Sequence, residues 1–208
     1  MLHTETVEPG TLSLLKRLMA MPSLQKFSLV GGTALSLRYG HRSSIDLDLF
    51  LHEKFDHHTL ESELREKFGD DFFHESGHRK IGIFCYIENI KVDIVHYPHA
   101  PIEKIDTIEN IRFYSNADIA AMKIQALLGR GMKKDFWDLY ELLKHYPLER
   151  IIGWHQQKYP SQMLAISIPN AITYFKDAED TKEPVSFKNQ TWEEVKNGIR
   201  RAVRDYLA

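Results

Sequence analysis

The spacing of apolar residues changes several times along the chain, and each change marks an element. In "GTLSLLKRLMAM" (10–21) the apolar residues recur at helical spacing, and Pro22 stops the run. "KFSLVGG" (26–32) reads as a short strand closing on Gly31-Gly32, and "TALSLRYG" (33–40) fits two helical turns, with Thr33 near the start and Gly40 as the stop. "SIDLDLFL" (44–51) alternates strictly: Ile45, Leu47, Leu49 and Leu51 on one side, Asp46, Asp48 and Phe50 on the other. "HHTLESELREKFG" (57–69) returns to helical spacing. "KIGIFCYI" (80–87) and "KVDIVHYP" (91–98) predict a β-hairpin that turns at Glu88-Asn89 and ends at Pro98.

Beyond "APIEKIDTIENIRFYS" (100–115) the pattern is helical: "ADIAAMKIQALLGR" (117–130), "KKDFWDLYELLKHY" (133–146), and weaker helices about 161–177 and 191–207, with a polar loop between these last two. The expected class is α+β, a mixed sheet flanked by helices over residues 1–115 followed by a helical region over 116–208. Within the sequence there is no internal repeat and no low-complexity segment.

Composition narrows the function classes. No run of eighteen apolar residues is present, and "MLHTETVEPG" lacks a signal-peptide pattern, so a cytoplasmic protein without membrane partners is expected. Cys85, the single cysteine, sits in an apolar run and reads as a buried structural thiol. The net charge of −2 gives no sign of a nucleic-acid coat protein. The eleven histidines form close pairs (His57-His58, His74 with His78, His96 with His99), but none has the HExxH spacing of a zinc site.

The acids in the alternating run need an explanation, because carboxylates are depleted from strands. Residues two apart project from one strand face with α-carbons about 6.6 Å apart. Asp46 and Asp48 therefore point the same way, and a cation between them relieves their repulsion. Magnesium suits the pair, since it takes one or two carboxylates and completes its octahedron with water and substrate phosphates. Asp93, an acid amid apolar residues in "KVDIVHY", supplies a third carboxylate if its strand pairs with 45–51. Gly31, Gly32 and Thr33 stand where a strand end meets a helix N-terminus, a place suited to phosphate. Arg42 is positioned to pair with a triphosphate.

These motifs have a family resemblance. "LVGGTALSLRYGHRSSIDLDLF" resembles the GG[ST]…DxD signature of the DNA polymerase β-like nucleotidyltransferases. Together with the downstream "K..AL..R…KDF.DLY" it is most similar to the AbiEii/AbiGii toxin family, over about Phe27 to Leu143. By itself Lys123 shares an apolar stripe with Ile119 and Leu127, and Asp135 reads as an acid at a helix start. The resemblance instead implies that Lys123 contacts nucleotide phosphates and that Asp135 belongs to the active site, with Arg130 as a further substrate contact; Asp138 is expected to be structural.

The expected enzyme is a nucleotidyltransferase. Asp46, Asp48 and Asp93 hold Mg2+ (or Mn2+), and Gly31, Gly32, Thr33, Arg42 and Lys123 receive a nucleoside triphosphate. Asp93 or Asp135 takes the acceptor's proton. The family implies a toxin with a separately encoded antitoxin and, in some relatives, the 3′ end of tRNA as acceptor. A small-molecule acceptor, aminoglycoside-like, a protein acceptor and an inactive nucleotide-binding module are the alternatives. An RNA acceptor calls for a basic rim such as Arg130, Lys133-Lys134 and Arg200-Arg201.

Overall fold

The computed structural model describes residues 1–74 and 81–208. His78 and Lys80, the first residue of the expected hairpin, lie outside the described residues. Seven strands, β1 (Ser28–Val30), β2 (Leu47–Leu51), β3 (Phe72–His74), β4 (Gly82–Ile87), β5 (Ile90–His96), β6 (Asp106–Ile108) and β7 (Ile111–Phe113), form one sheet in the order β3-β4-β5-β2-β1-β7-β6. Eight α-helices are described: α1 (Pro9–Met19), α2 (Gly31–Tyr39), α3 (His57–Phe68), α4 (Asn116–Gly129), α5 (Lys133–Leu143), α6 (Leu148–Lys158), α7 (Ile168–Ile172) and α8 (Trp192–Leu207). The α+β class is as expected.

Register follows from the alternation. β2 and β5 pair in parallel with Leu47 opposite Val92, Asp48 opposite Asp93 and Leu49 opposite Ile94. β1 runs antiparallel to β2, with Leu29 opposite Leu49 and Val30 opposite Asp48. One sheet face therefore collects Leu29, Leu47, Leu49, Val92, Ile94, Ile83 and Cys85, all buried. The opposite face carries Asp48, Phe50, Asp93, Val95 and Phe84. The hairpin turns where expected: Glu88 and Asn89 both have positive φ (53° and 62°), as a two-residue loop of matching twist requires. The same device at Glu109-Asn110 joins β6 and β7. Those strands, like β3, are three residues long, too short to show a period in the sequence.

Three expectations change. Ile45 is exposed rather than core, because the chain joins the sheet only at Leu47. Just before that, Ser43 N donates to the Val185 carbonyl and Ser44 N to that of Thr6, which hold the segment off the sheet. The helix expected about 161–177 contracts to α7 and a 3-10 turn over Lys176–Ala178; Pro169 in the first turn of α7 sets its start. Helix α6, unforeseen, buries Leu148, Ile151, Ile152 and His155 at i, i+3, i+4 and i+7 despite Gly153 in its middle. The helix expected at 191–207 is α8, started by a Thr191–Glu194 capping box. It docks through Trp192, whose ring stacks on Trp137 with centroids 5.5 Å apart.

The helices are anchored by a buried acid. Asp118, in the first turn of α4, accepts from the Ser115 hydroxyl (2.7 Å), the Ile102 N–H (2.9 Å) and Lys158 Nζ (2.7 Å). It thus ties the loop after β5 to both α4 and α6. Replacing Asp118 with alanine leaves the Lys158 ammonium buried and uncompensated. The expected cost is about 3–5 kcal/mol, read as a lowered midpoint in urea unfolding; a change below about 1 kcal/mol would contradict the assignment.

Candidate active site

Val30 ends β1 in an extended conformation, and Gly31 begins α2 immediately, so both glycines lie inside the first turn rather than before it. Gly31 has a φ of +72°, and a Cβ there would run into the Asp48 carboxylate. A Cβ at Gly32 would run into the Arg42 guanidinium. The two glycines thus let an acid from one side and a cation from the other close on the positive end of α2.

Asp48 and Asp93 are register partners on adjacent parallel strands, with their side chains on the same face. Burial, and then the neighbouring Asp93, push the Asp48 carboxyl up to about 6. Asp93 Oδ2 accepts from Lys91 Nζ at 2.9 Å, while its Oδ1 is buried with no hydrogen-bond partner. Asp46 precedes the strand, and its carboxylate lies 3.5 Å from Lys134 Nζ. No group of three or more His, Cys, Asp or Glu side chains among the described residues is gathered tightly enough to hold a metal ion. The structure thus brings Asp48 and Asp93 together and leaves Asp46 at their edge, turned toward Lys134.

Behind α2 lies a buried ionic network. Asp138 on α5 accepts from Arg42 Nε (2.7 Å) and Nη2 (2.8 Å) and from His41 Nε2 (2.7 Å). Lys123 Nζ on α4 reaches Asp138 Oδ2 at 2.6 Å and Asp135 Oδ1 at 3.0 Å. Arg130 closes on Asp135 from the cleft side, Nε to Oδ2 at 3.1 Å. Burial alone would raise the Asp138 carboxyl; Arg42, Lys123 and His41 instead hold it well below its ordinary value. Asp135 is likewise held low by Lys123 and Arg130 against the pull of burial. Burial also lowers the His41 imidazole despite Asp138 beside it.

These contacts revise several sequence-based roles. The Arg42 guanidinium is buried and engaged with Asp138, with Nη1 on the Ser43 carbonyl at 2.8 Å, so it braces the glycines from behind instead of reaching a triphosphate. Thr33 points inward: its hydroxyl donates to the Asp46 carbonyl and lies 2.8 Å from the Ser44 hydroxyl. Asp135, with two cations on its carboxylate, is poorly placed to take a proton. Lys123 has three N–H donors and uses two on these acids, leaving one toward the cleft.

A cleft of about 690 Å³ opens between the sheet face and α4. Gly31, Asp48, Asp93, Lys123 and Arg130 line one end, and Phe50, Val95, Tyr97 and Met122 the other. The apolar end escaped the sequence reading because its residues come from β2, β5 and α4 and make no local motif. Lys91 stands two residues from Asp93 on the same strand face, a spacing already visible in the sequence, and pairs with it.

Comparison with known proteins agrees with this geometry. Residues 13–205 match the family model described as nucleotidyl transferase AbiEii toxin, type IV TA system. An uncharacterized protein of Aquifex aeolicus (strain VF5) is 30% identical over 203 residues, covering 93% of this chain and 94% of the relative. JHP933 from Helicobacter pylori shares the fold at 17% identity, with a TM-score of 0.56 over 95% of this chain and 92% of its own. An antigenic nucleotidyltransferase-like protein from Paracoccidioides brasiliensis does so at 18% identity, with a TM-score of 0.52 over 80% of this chain and 94% of its own. No helix among the described residues is long and apolar enough to cross a membrane. With the double glycine, the paired acids and a match spanning nearly its whole length, the chain belongs to the AbiEii family of nucleotidyltransferase toxins of type IV toxin–antitoxin systems.

Proposed function

We propose that this protein transfers a nucleoside monophosphate from a nucleoside triphosphate to an RNA hydroxyl, with the 3′ end of tRNA as the acceptor, and that it acts in the cytoplasm under the control of a cognate antitoxin. The observation that carries the catalytic part is the excess negative charge at Asp48 and Asp93: one carboxyl pushed up to about 6 beside another whose Oδ1 is buried and unpartnered. Such a pair fits a hard divalent cation with oxygen ligands, Mg2+ or Mn2+, held by Asp48 and Asp93 with Asp46 at the rim. When bound, the cation stabilises charge on the phosphoryl oxygens during in-line displacement.

The chain's own groups do the rest. The positive end of α2 at Gly31-Gly32 and the free donor of Lys123 receive the triphosphate. The acceptor hydroxyl attacks the α-phosphorus, the bond to the bridging oxygen of pyrophosphate breaks, and pyrophosphate leaves. Of the two carboxylates that could take the acceptor's proton, Asp93 in the cleft is better placed than Asp135, which two cations hold. Arg130, lining the cleft, and Lys134 beside Asp46 favour a polyanionic acceptor over a cationic small molecule.

The decisive assay uses each α-³²P-labelled nucleoside triphosphate in turn with Mg2+ and total cellular RNA, with cell-extract protein as a separate acceptor. The expected outcome is label on RNA, lost in Asp46→Ala/Asp48→Ala. Label on protein alone would overturn the RNA acceptor and keep the enzyme class, and no transfer to either would overturn both macromolecular acceptors in favour of a small-molecule acceptor or an inactive module.

A second expectation concerns pH. The folded-state carboxyl of Asp48 lies above its ordinary value of 3.8, so the folded chain holds that proton longer than the unfolded chain. In the absence of divalent metal, the Asp48 contribution to stability falls as pH rises from about 4 to 6, by up to about 3 kcal/mol, and stays lower above. Asp48→Asn removes this penalty. The variant is expected to melt above wild type at pH 7 without metal and to match it more closely near pH 4. Added Mg2+ is expected to raise the melting temperature of wild type alone. Parallel melting curves across this pH range would contradict the raised carboxyl.

A further inference from the structure

The cleft is graded from charge to grease, and the gradient follows the strands. Asp48 and Phe50 are two residues apart on one face of β2, as are Asp93 and Val95 on β5, and Tyr97 follows in the same direction. Each step of two residues moves about 6.6 Å away from the acids. The Phe50 and Tyr97 rings lie 5.1 Å apart at the far end. Across from them α4 presents Met122, Gln125, Ala126 and Gly129, spaced i, i+3, i+4 and i+7 along one helical stripe. A nucleotide with its phosphates at Gly31 therefore lays its base between this stripe and the aromatic floor.

Only one side chain on that stripe carries hydrogen-bonding groups. Gln125 Oε1 lies 3.1 Å from Nε2 of the buried His155 on α6. Burial lowers the His155 imidazole to about 4, so the ring is neutral near pH 7. The amide oxygen can only accept, so in this contact the ring carries its proton on Nε2 and donates it to Gln125 Oε1. That bond turns the amide so that its NH2 group remains for the cleft. His155 is held in turn against Tyr159, with centroids 4.9 Å apart, and the Tyr159 hydroxyl bonds to that of Tyr97. The amide is thus tied, through three neighbouring rings, to the aromatic end of the cleft.

Resting on the nucleotidyltransferase reading above, we infer that Gln125 selects the nucleobase, admitting one that presents a ring carbonyl and disfavouring adenine. Cytosine, uracil and guanine each offer a carbonyl oxygen to the amide N–H. Adenine has no ring carbonyl, and its N1 and N7 acceptors each sit beside its own N6 donor. The pairing by which glutamine reads adenine needs both its N–H and its oxygen. Here the contact with His155 draws the oxygen to the α6 side of the amide and leaves the NH2 toward the cleft, so the adenine amino group meets a donor.

The test is equilibrium binding of CTP, UTP, GTP and ATP to the full chain by calorimetry in Mg2+, for wild type, Gln125→Glu and Gln125→Met. Glutamate still accepts from His155 but turns an acceptor to the cleft; methionine keeps the length and removes both groups. Wild type is expected to bind at least one of CTP, UTP and GTP about tenfold or more tightly than ATP. Gln125→Glu is expected to reverse that order, and Gln125→Met to level it. Equal binding of all four by wild type, or an unchanged order in a folded variant, would overturn the role of Gln125 and leave the nucleotide site standing. No binding of any nucleotide by wild type would overturn the site together with the role.

Discussion

The Asp138 carboxylate, sealed from water on α5, receives donors from two other parts of the chain: His41 and Arg42 from the segment between α2 and β2, and Lys123 from α4. A buried carboxylate with this many charge-assisted bonds fixes geometry more than it adds stability, because desolvation offsets much of the attraction, while the loss of any one partner strands a charge. Much of the site hangs on it. With Arg42 drawn onto Asp138, its guanidinium presses against the first turn of α2, and Gly32 has to be glycine. The backbone of this short segment is held too, with Phe187 N donating to the His41 carbonyl and Ser43 N to that of Val185. The chain then enters β2 at Leu47, which brings Asp48 against Gly31.

The network also sets the electrostatics of the cleft. Arg42, Lys123 and Arg130 bring three cations to two carboxylates, Asp135 and Asp138, and the low His41 imidazole adds no further positive charge near neutral pH. A net positive charge remains at the back and side of the cleft, facing the acids of β2 and β5. Its effect reaches Asp48, whose upward shift Lys123 partly opposes. Cations on one wall and a close pair of carboxylates on the other suit a substrate that is itself a polyanion carrying a divalent ion. Either wall alone would repel one half of that substrate.

What was legible in the sequence is what short-range order encodes. Strict alternation over 44–51 set the strand face, and the isolated acid in "KVDIVHY" pointed to the neighbouring strand; the register Asp48 opposite Asp93 joins the two. Long-range ionic pairing was not legible. Arg42 and Asp138 stand 96 residues apart, and nothing local distinguishes an arginine aimed at a phosphate from one buried on a carboxylate. Asp138, read as a structural acid on its helix, is the hub of the ionic network, while Arg42 and Thr33, read as ligands, are braces. Strands β3, β6 and β7 and helix α6 escaped for a different reason. They are held by tertiary packing and pairing, which a period alone does not reveal.

A strand whose side chains alternate can place an acid at one step and an aromatic ring two steps on, so charge and apolar surface are laid out in line at a fixed pitch. In β2 and β5, side by side and parallel, that layout is doubled. In the proposed nucleotide complex the sheet supplies only carboxylates for the phosphate end and a flat apolar surface for a base. Discrimination between bases would then have to come from elsewhere. The proposal assigns it to α4, which crosses this face with Lys123 toward the charged end and Gln125 toward the apolar one. Lys123 is steadied by α5, and Gln125 by α6. The helical half of the chain thus does more than cover the sheet: it holds polar atoms at both ends of the cleft, Lys123 at the charged end and Gln125 at the apolar one.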